Sequence, residues 1–114
     1  MPGRSGQGQR LNWRCSVVAW YVGESENGAD ICTARDMTEL RNWAAGLDIE
    51  TPVFFALNPW DGVVAPNDVL TLAGELEAMS ERVDAAPEWV PSALQVMLTI
   101  AYAAAEAETT LEVG

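Results

Sequence analysis

One apolar segment near the end of the chain limits the possible folds more than any other feature. Residues 93–105 contain only three polar groups, from Gln95, Thr99 and the hydroxyl of Tyr102, and these recur at steps of three and four residues. The spacing predicts a helix that is apolar on every side but one. A membrane span needs roughly twenty apolar residues, so this segment is too short to be one. It is either a central packing helix or a helix whose extra apolar face meets a partner.

A β-hairpin is predicted in the first third of the chain. Apolar residues alternate from Leu11 to Val22, and the second face also becomes apolar from Val18, so this strand starts at an exposed edge and ends covered on both sides. The stretch GESENG at 23–28 ends in an Asn-Gly pair that favours a tight turn. Residues 29–33 can then return as an antiparallel second strand.

Two further strands are expected later in the chain. The run PVFFAL at 52–57 has no polar residue after its proline and is bounded by turn formers, which favours a central buried strand. Its end is marked by NPWDGVVAP at 58–66, in which Asp61 and Gly62 are expected to make a chain reversal. Residues 109–113 are expected to close the chain as a strand.

Three helices are predicted between and after these strands. The first starts near Asp36, with Glu39 three residues later, and the second opens at Pro66, whose fixed φ suits the first helical position. The third runs from about Pro91 to Glu106. In the second helix an apolar stripe is expected to face the core, formed by Val69, Leu72, Ala73, Leu76, Met79 and Val83, with Thr71, Glu75, Glu81 and Arg82 on the opposite side.

These elements predict an α+β fold in which a small, mostly antiparallel sheet packs against three helices. The chain has 114 residues and 49% of them are hydrophobic, which is enough for one core, so residues 11–114 are expected to form a single domain. Residues 1–10 have no apolar residue after the initiator and are expected to be a mobile arm.

Charge is distributed unevenly along the chain. Arg4, Arg10 and Arg14 lie in the first fourteen residues without an acid among them, whereas all 17 acidic residues and three arginines follow, which gives that remainder a formal charge of −14. A strongly acidic body disfavours binding to nucleic acid or to an anionic membrane. The expected partner is therefore a basic protein, and the three N-terminal arginines form a candidate assembly arm that could lie on an acidic neighbour.

The chain has two cysteines, Cys15 and Cys32, and no N-terminal pattern typical of a secretory signal. Both observations favour a reducing, cytoplasmic setting. The two residues lie near the ends of the predicted hairpin, so a single disulfide is geometrically conceivable, although two reduced and half-buried thiols are the preferred interpretation.

The absence of histidine excludes most familiar catalytic systems. Without it the chain lacks the usual general base, the Ser-His and Cys-His nucleophile systems and the commonest zinc ligand. It also has no lysine and no glycine-rich phosphate-binding motif, so no nucleotide or other cofactor is expected.

Carboxylates are the one catalytic resource that remains, because paired acids can exchange protons or hold Mg²⁺. The candidates are Asp61, Asp68, Glu75, Glu77 and Glu81. Taking Gly62 as the sixth residue of an EF-hand loop puts Leu57 and Pro59 at ligand positions, so the 58–66 segment does not match a calcium loop. Acidic residues on one helix are most often a solvated face, so no metal site is predicted, and a weak site at Asp61 and Asp68 is the alternative that stays open.

The second half of the chain resembles a small uncharacterised bacterial domain type with an Asp-Gly turn, an L-A-x-E-L helix and an alanine-rich helix that leads to an L-E strand. The matching residues are Asp61, Gly62, Leu72, Ala73, Glu75, Leu76, Ala103 to Glu106, Leu111 and Glu112. No activity is assigned to such domains, so the resemblance implies nothing about function. The lysine-free, alanine-rich composition is typical of GC-rich bacterial or phage genomes.

Three functional hypotheses follow, in order of preference. The first is a non-catalytic acidic module, such as an immunity or inhibitor protein that covers a basic partner. The second is a structural subunit, in a phage particle or another assembly, that uses the basic arm and the apolar last helix. The third is a metal-assisted carboxylate enzyme.

The first hypothesis assigns partner binding to acidic and aromatic side chains. Tryptophan is a common interface anchor, and three of the five tryptophans, Trp13, Trp60 and Trp89, are expected to be partly exposed. Trp20 and Trp43 are expected to be buried. The predicted binding residues are Trp60, Asp61, Asp68, Glu75, Glu81 and Trp89.

Overall fold

The fold is given by a computed structural model, which describes residues 17–114. Its strands are β1 (Val17–Val22), β2 (Gly28–Thr33), β3 (Val63–Val64) and β4 (Leu111–Val113). Its helices are α1 (Ala34–Ala45), α2 (Pro52–Ala56), α3 (Pro66–Ser80) and α4 (Val90–Glu106), with a 3-10 turn at Val83–Ala85. The predicted α+β class, with an antiparallel sheet packed against three main helices, is confirmed.

The strands form a four-stranded sheet in the order β2-β1-β4-β3, and each neighbouring pair is antiparallel. The predicted hairpin of β1 and β2 is confirmed, as is the C-terminal strand β4, which pairs with β1 through Trp20 and Val113. The register of β1 and β2 shifts between Val18 and Ala19, which leaves Ile31 as a bulged residue in β2.

Helix α4 is the central packing helix of this part of the chain. It contacts α3 on one side and β1, β2 and β4 on the other. Leu94, Met97 and Ala101 are fully buried within it, whereas Gln95 and Thr99 are exposed. The structure therefore confirms the prediction of an apolar helix with one polar seam, and places its apolar sides inside the core.

Helix α1 begins two residues earlier than the sequence pattern predicts. Thr33, the last residue of β2, is its N-cap, and the Thr33 hydroxyl accepts a hydrogen bond of 3.1 Å from the backbone N–H of Asp36. Such a bond satisfies one of the free N–H groups in the first turn. The strand therefore passes into the helix without an intervening loop.

The predicted central strand at 52–57 is wrong, because residues Pro52–Ala56 form the short helix α2. A continuous apolar run has no periodicity that could distinguish a buried strand from a buried helix. Pro52 occupies the first helical position, where its fixed φ and missing N–H have little cost. Phe54 is buried in the core, whereas Phe55 is only half-buried.

Glu75 supplies the cap that α2 lacks in its own sequence. The side chain of Thr51, the N-cap residue, makes no capping hydrogen bond. Instead, the Glu75 carboxylate of α3 accepts hydrogen bonds from the backbone N–H of Val53, at 3.0 Å, and of Phe54, at 2.8 Å. A negative charge at a helix N-terminus is also favoured by the helix dipole. Glu75 is only 8% exposed, so this carboxylate holds α2 against α3 inside the protein.

Arg41 of α1 holds α2 from its other side. Its guanidinium carbon lies 5.7 Å from the centre of the Phe54 ring and 5.2 Å from that of Phe55, within the range of cation–π attraction. It also donates a hydrogen bond of 3.4 Å to the carbonyl of Leu57. Two charged side chains from two different helices therefore fix a helix of five residues.

Some predictions fall on residues that are not described. The arm at 1–10, with Arg4 and Arg10, lies outside the described residues, as do Arg14, Trp13 and the predicted strand residues 11–16.

Within residues 17–114, no helix combines the length and the apolar character that a membrane crossing requires.

Replacing Glu75 is expected to destabilise the fold strongly. Glu75→Ala leaves the buried N–H of Phe54 and the partly buried N–H of Val53 without acceptors, which should lower the free energy of unfolding by about 2–4 kcal/mol. Glu75→Gln keeps one side-chain oxygen as an acceptor and should lose about half as much. Chemical denaturation followed by circular dichroism measures both values. Glu39→Ala, the same change at an exposed position of α1, is the control and should stay within about 0.5 kcal/mol of the parent. A Glu75→Ala variant as stable as this control would contradict the capping role.

Candidate protein-interaction site

The segment between α2 and α3 forms a tight corner at the edge of the sheet. The side-chain oxygen of Asn58 accepts a hydrogen bond of 2.9 Å from the backbone N–H of Trp60. The backbone carbonyl of Asn58 accepts one of 3.0 Å from the backbone N–H of Gly62. The Gly62 carbonyl in turn accepts a hydrogen bond of 2.9 Å from Val113 of β4. These bonds confirm the predicted chain reversal and anchor it to the sheet.

Close packing requires a glycine at position 62. A Cβ added there would lie 2.5 Å from a methyl carbon of Leu57 and 2.7 Å from the carbonyl oxygen of Asn58. Contacts this short do not occur in stable proteins, and one of the two atoms belongs to the backbone. The corner is therefore rigid, because Gly62 is already in van der Waals contact with Leu57 and Asn58 on the other side of the turn.

Apolar and acidic side chains are exposed together at this corner. Trp60 is 47% exposed and Val63 is 60% exposed, values that are high for large apolar residues, and Asp61 is exposed between them. Asp68, in the first turn of α3, is also exposed. We call these four residues the Trp60 corner.

An apolar groove of about 330 Å³ opens beside the corner, between α2 and β3. Val53, Ala56 and Leu57 line one side, and Val63 and Asp68 lie on the other. A partner side chain that entered the groove would contact apolar carbon and pass one carboxylate. Helix α2 forms the side of the groove that contains Val53, Ala56 and Leu57. Because the buried Glu75 carboxylate caps α2, it also fixes the position of that side.

The structure does not bring all six predicted binding residues together. Trp60, Asp61 and Asp68 share the corner. The expectation that Glu75 faces solvent is wrong, because its carboxylate is buried against the start of α2. Helical spacing places Glu75 away from the apolar stripe of α3, and only the packing of α2 over that side removes it from solvent.

Glu81 and Trp89 lie elsewhere on the molecule. Helix α3 has 15 residues and is about 21 Å long, so Glu81, at its C-terminal end, is about 20 Å from Asp68. It lines a groove between α3 and α4 together with Glu77 and Tyr102. Trp89 is half-buried, as expected, and lines a different groove beside β2. Trp20 is buried as predicted, but Trp43 is only half-buried.

One contact in the groove between α3 and α4 was not anticipated from the sequence. The hydroxyl of Tyr102 donates a hydrogen bond to the Glu77 carboxylate. This bond and the adjacent negative charge raise the pKa of Tyr102 above its ordinary value. The polar seam of α4 and the acidic face of α3 both suggest polar contacts, but their pairing is a tertiary property.

The negative charge of the described residues is compensated only in part. Arg41 lies over the two phenylalanine rings, and Arg82 forms an exposed ion pair with Asp48. Arg35 is exposed on α1. None of these contacts neutralises Asp61 or Asp68, so the Trp60 corner retains its negative potential. Within the same residues, no three side chains among Cys, Asp and Glu lie where they could hold a metal ion.

Comparisons with other proteins supply no family. No model of a known protein family, no curated protein and no solved structure matches this chain. The function is therefore argued from the side chains and grooves described above.

Cys32 lies in the groove beside β2 as a free, half-buried thiol. Burial, with a further contribution from the negative charge of Asp36, raises the pKa of the thiol to about 12. Since the thiolate is the reactive form, Cys32 is a poor nucleophile near neutral pH. Cys15 lies outside the described residues.

Two glycine substitutions test whether the Trp60 corner is too tightly packed to accept a Cβ. One is at Gly62, and the other is at Gly74 in α3, where there is room for the added atom. Gly62→Ala forces the contacts with Leu57 and Asn58 apart and should lower the free energy of unfolding by about 1–3 kcal/mol. Gly74→Ala is the matched control, because a Cβ at Gly74 in α3 meets nothing within 4 Å. This second change should raise stability by about 0.5–1 kcal/mol. Denaturant melts measure both, and a neutral Gly62→Ala would show that the corner is not tightly packed.

Slow alkylation is expected at Cys32. In a Cys15→Ser background, iodoacetamide at about pH 8 should modify folded Cys32 about a thousandfold more slowly than the same residue in urea, because a pKa near 12 leaves little thiolate. Mass spectrometry follows the reaction. Equal labelling rates in the folded and the urea-unfolded protein would contradict the buried environment of Cys32.

The raised pKa of Cys32 also makes stability depend on pH. The stabilisation from the protonated thiol is complete below about pH 9 and is lost as the pH rises toward 12.

Proposed function

We propose that this protein is a non-catalytic acidic binding module, such as an immunity or inhibitor protein, that covers a basic surface of a protein partner. The observation that carries the proposal is the Trp60 corner, where a half-exposed tryptophan, an exposed valine and the exposed carboxylate of Asp61 follow one another on a hydrogen-bonded turn that leads to Asp68 at the start of α3. Anchors of binding are typically aromatic side chains at positions that need little ordering on association.

The electrostatics support the same role. The described residues contain all 17 acids of the chain and three of its six arginines, so the body attracts a basic surface over about one Debye length. Attraction of this kind mainly raises the association rate, while buried contacts slow dissociation. At the corner both elements are present, because Asp61 and Asp68 supply the charge and Trp60 with Val63 supplies the apolar contact.

The alternative role, as a structural subunit, depended on an apolar face of the last helix and on the basic arm. Helix α4 buries most of its apolar side chains against α3 and the sheet and exposes Gln95, Thr99 and Tyr102, whereas Val96 is only half-buried. This arrangement favours the first role, and the structural subunit stays a second proposal. The arm, the other element of that role, lies outside the described residues.

The proposal is tested by capturing a partner from the native host on immobilised full-length protein at low salt, and then measuring its affinity by surface plasmon resonance. Trp60→Ala should weaken binding by about 30-fold or more, as expected for an interface anchor. The double change Asp61→Asn with Asp68→Asn should mainly lower the association rate.

Raising the salt from about 50 mM to about 300 mM should weaken binding of the partner to the parent protein by about tenfold or more, because screening shortens the range of the electrostatic attraction.

Glu39→Gln with Asp84→Asn is the matched control. It removes the same formal charge at exposed positions outside the corner, and should change the association rate less than the corner pair does. An affinity that is independent of salt, or a Trp60→Ala variant that binds like the parent, would count against the proposal.

A further inference from the structure

The groove beside β2 lies at the edge of the sheet opposite β3 and combines apolar walls with two carboxylates. It has a volume of about 460 Å³ and opens between the edge strand β2 and helix α4. Val17, Ile31, Trp89 and Val96 are the large apolar residues that line it. We call it the β2–α4 groove.

The apolar residues of this groove are incompletely covered by the described part of the chain. Val17 is 38% exposed, and Ile31 and Trp89 are half-buried. Ile31 is the bulged residue of β2, an extra residue in the strand where the regular pairing with β1 is interrupted. Apolar surface that is left open in this way can bind the apolar side chains of another segment.

Asp30 and Asp36 give the groove its charge. Asp30 is exposed on β2, and Asp36 lies in the first turn of α1, where the helix dipole stabilises its carboxylate. Both residues line the cavity, and among the described residues that line it there is no arginine. The neighbouring Cys32 thiol stays protonated near neutral pH, so the negative charge of the lining comes from Asp30 and Asp36. A cation between apolar groups would complement this lining.

We propose that the β2–α4 groove binds an extended segment of a protein partner in which an arginine or lysine lies between apolar residues. The cationic side chain pairs with Asp30 and Asp36, and the flanking side chains pack on Val17, Ile31 and Trp89. The bulge at Ile31 interrupts the edge of β2, so side chains rather than continuous strand pairing recognise the segment. The proposal rests on the proposed function only for the sign of the partner's charge, and it does not use the Trp60 corner.

A short peptide tests the groove directly. Acetyl-Val-Arg-Val-Arg-Val-amide is titrated into the isotopically labelled full-length protein, and binding is followed through the backbone NMR signals of Ile31 and Ser92 and the indole signal of Trp89. Saturable shifts confined to the groove are expected. The same peptide with citrulline in place of arginine keeps the shape but removes the charge, and should bind about tenfold more weakly or worse.

Variants of the protein locate the charge that matters. Asp30→Asn with Asp36→Asn should weaken peptide binding about tenfold or more, whereas Asp61→Asn with Asp68→Asn, which removes the same charge at the Trp60 corner, should change it less than threefold. Equal effects of the two pairs, equal binding of the citrulline peptide or an absence of saturable shifts would overturn the proposal.

Three further outcomes decide between the possible occupants and separate the two sites. If Arg10→Gln with Arg14→Gln moves the groove signals without added peptide and tightens peptide binding, the occupant is the N-terminal segment of the chain itself, and the proposal of a partner segment is overturned. Loss of partner binding in Trp60→Ala, with unchanged peptide binding, would support both sites independently. If Trp60→Ala leaves both partner binding and peptide binding unchanged, the groove is supported and the function proposed for the corner is removed.

Discussion

The fold depends on burying one helix on nearly all sides. Helix α4 has too little polar surface to lie on the outside of a protein, and the described structure meets this constraint by placing it between α3 and the sheet. The positions of the other elements follow from that arrangement. The hairpin of β1 and β2, the strand β4 that follows α4, and helix α3 each cover part of its surface. The groove beside β2 and the groove between α3 and α4 lie where this covering ends.

The sequence predicts those elements whose periodicity is unambiguous. Alternation that begins at Leu11 identifies the strand that contains β1. Helical spacing identifies α1, α3 and α4, because the polar residues of each recur on one side. Helix α2 could not be predicted in this way. Its residues are apolar throughout, and the group that favours the helix is the carboxylate of Glu75, which reaches Phe54 across 21 positions of sequence. Local patterns contain no information about such a contact.

The candidate site shows the same division. The exposure of Trp60 follows from its place in a turn that contains proline and glycine, so sequence reasoning could find it. The acids of α3 were harder to assign, because their surroundings depend on which helix packs on which side. Glu75 is buried, Asp68 lies at the corner and Glu81 lies at the opposite end of the helix. The grooves are formed by residues from separate elements, so they become visible only in three dimensions.

The carboxylate of Glu75 also couples the stabilities of two helices. A helix of five residues is not stable alone, because nucleation costs more than its few hydrogen bonds return. Helix α2 therefore depends on α3 for its existence, and the two segments should open and close as one cooperative unit in native-state fluctuations. One wall of the groove at the Trp60 corner belongs to this unit. The shape offered to a partner is consequently as long-lived as the packing of α3 against α4, although the corner itself lies at the surface.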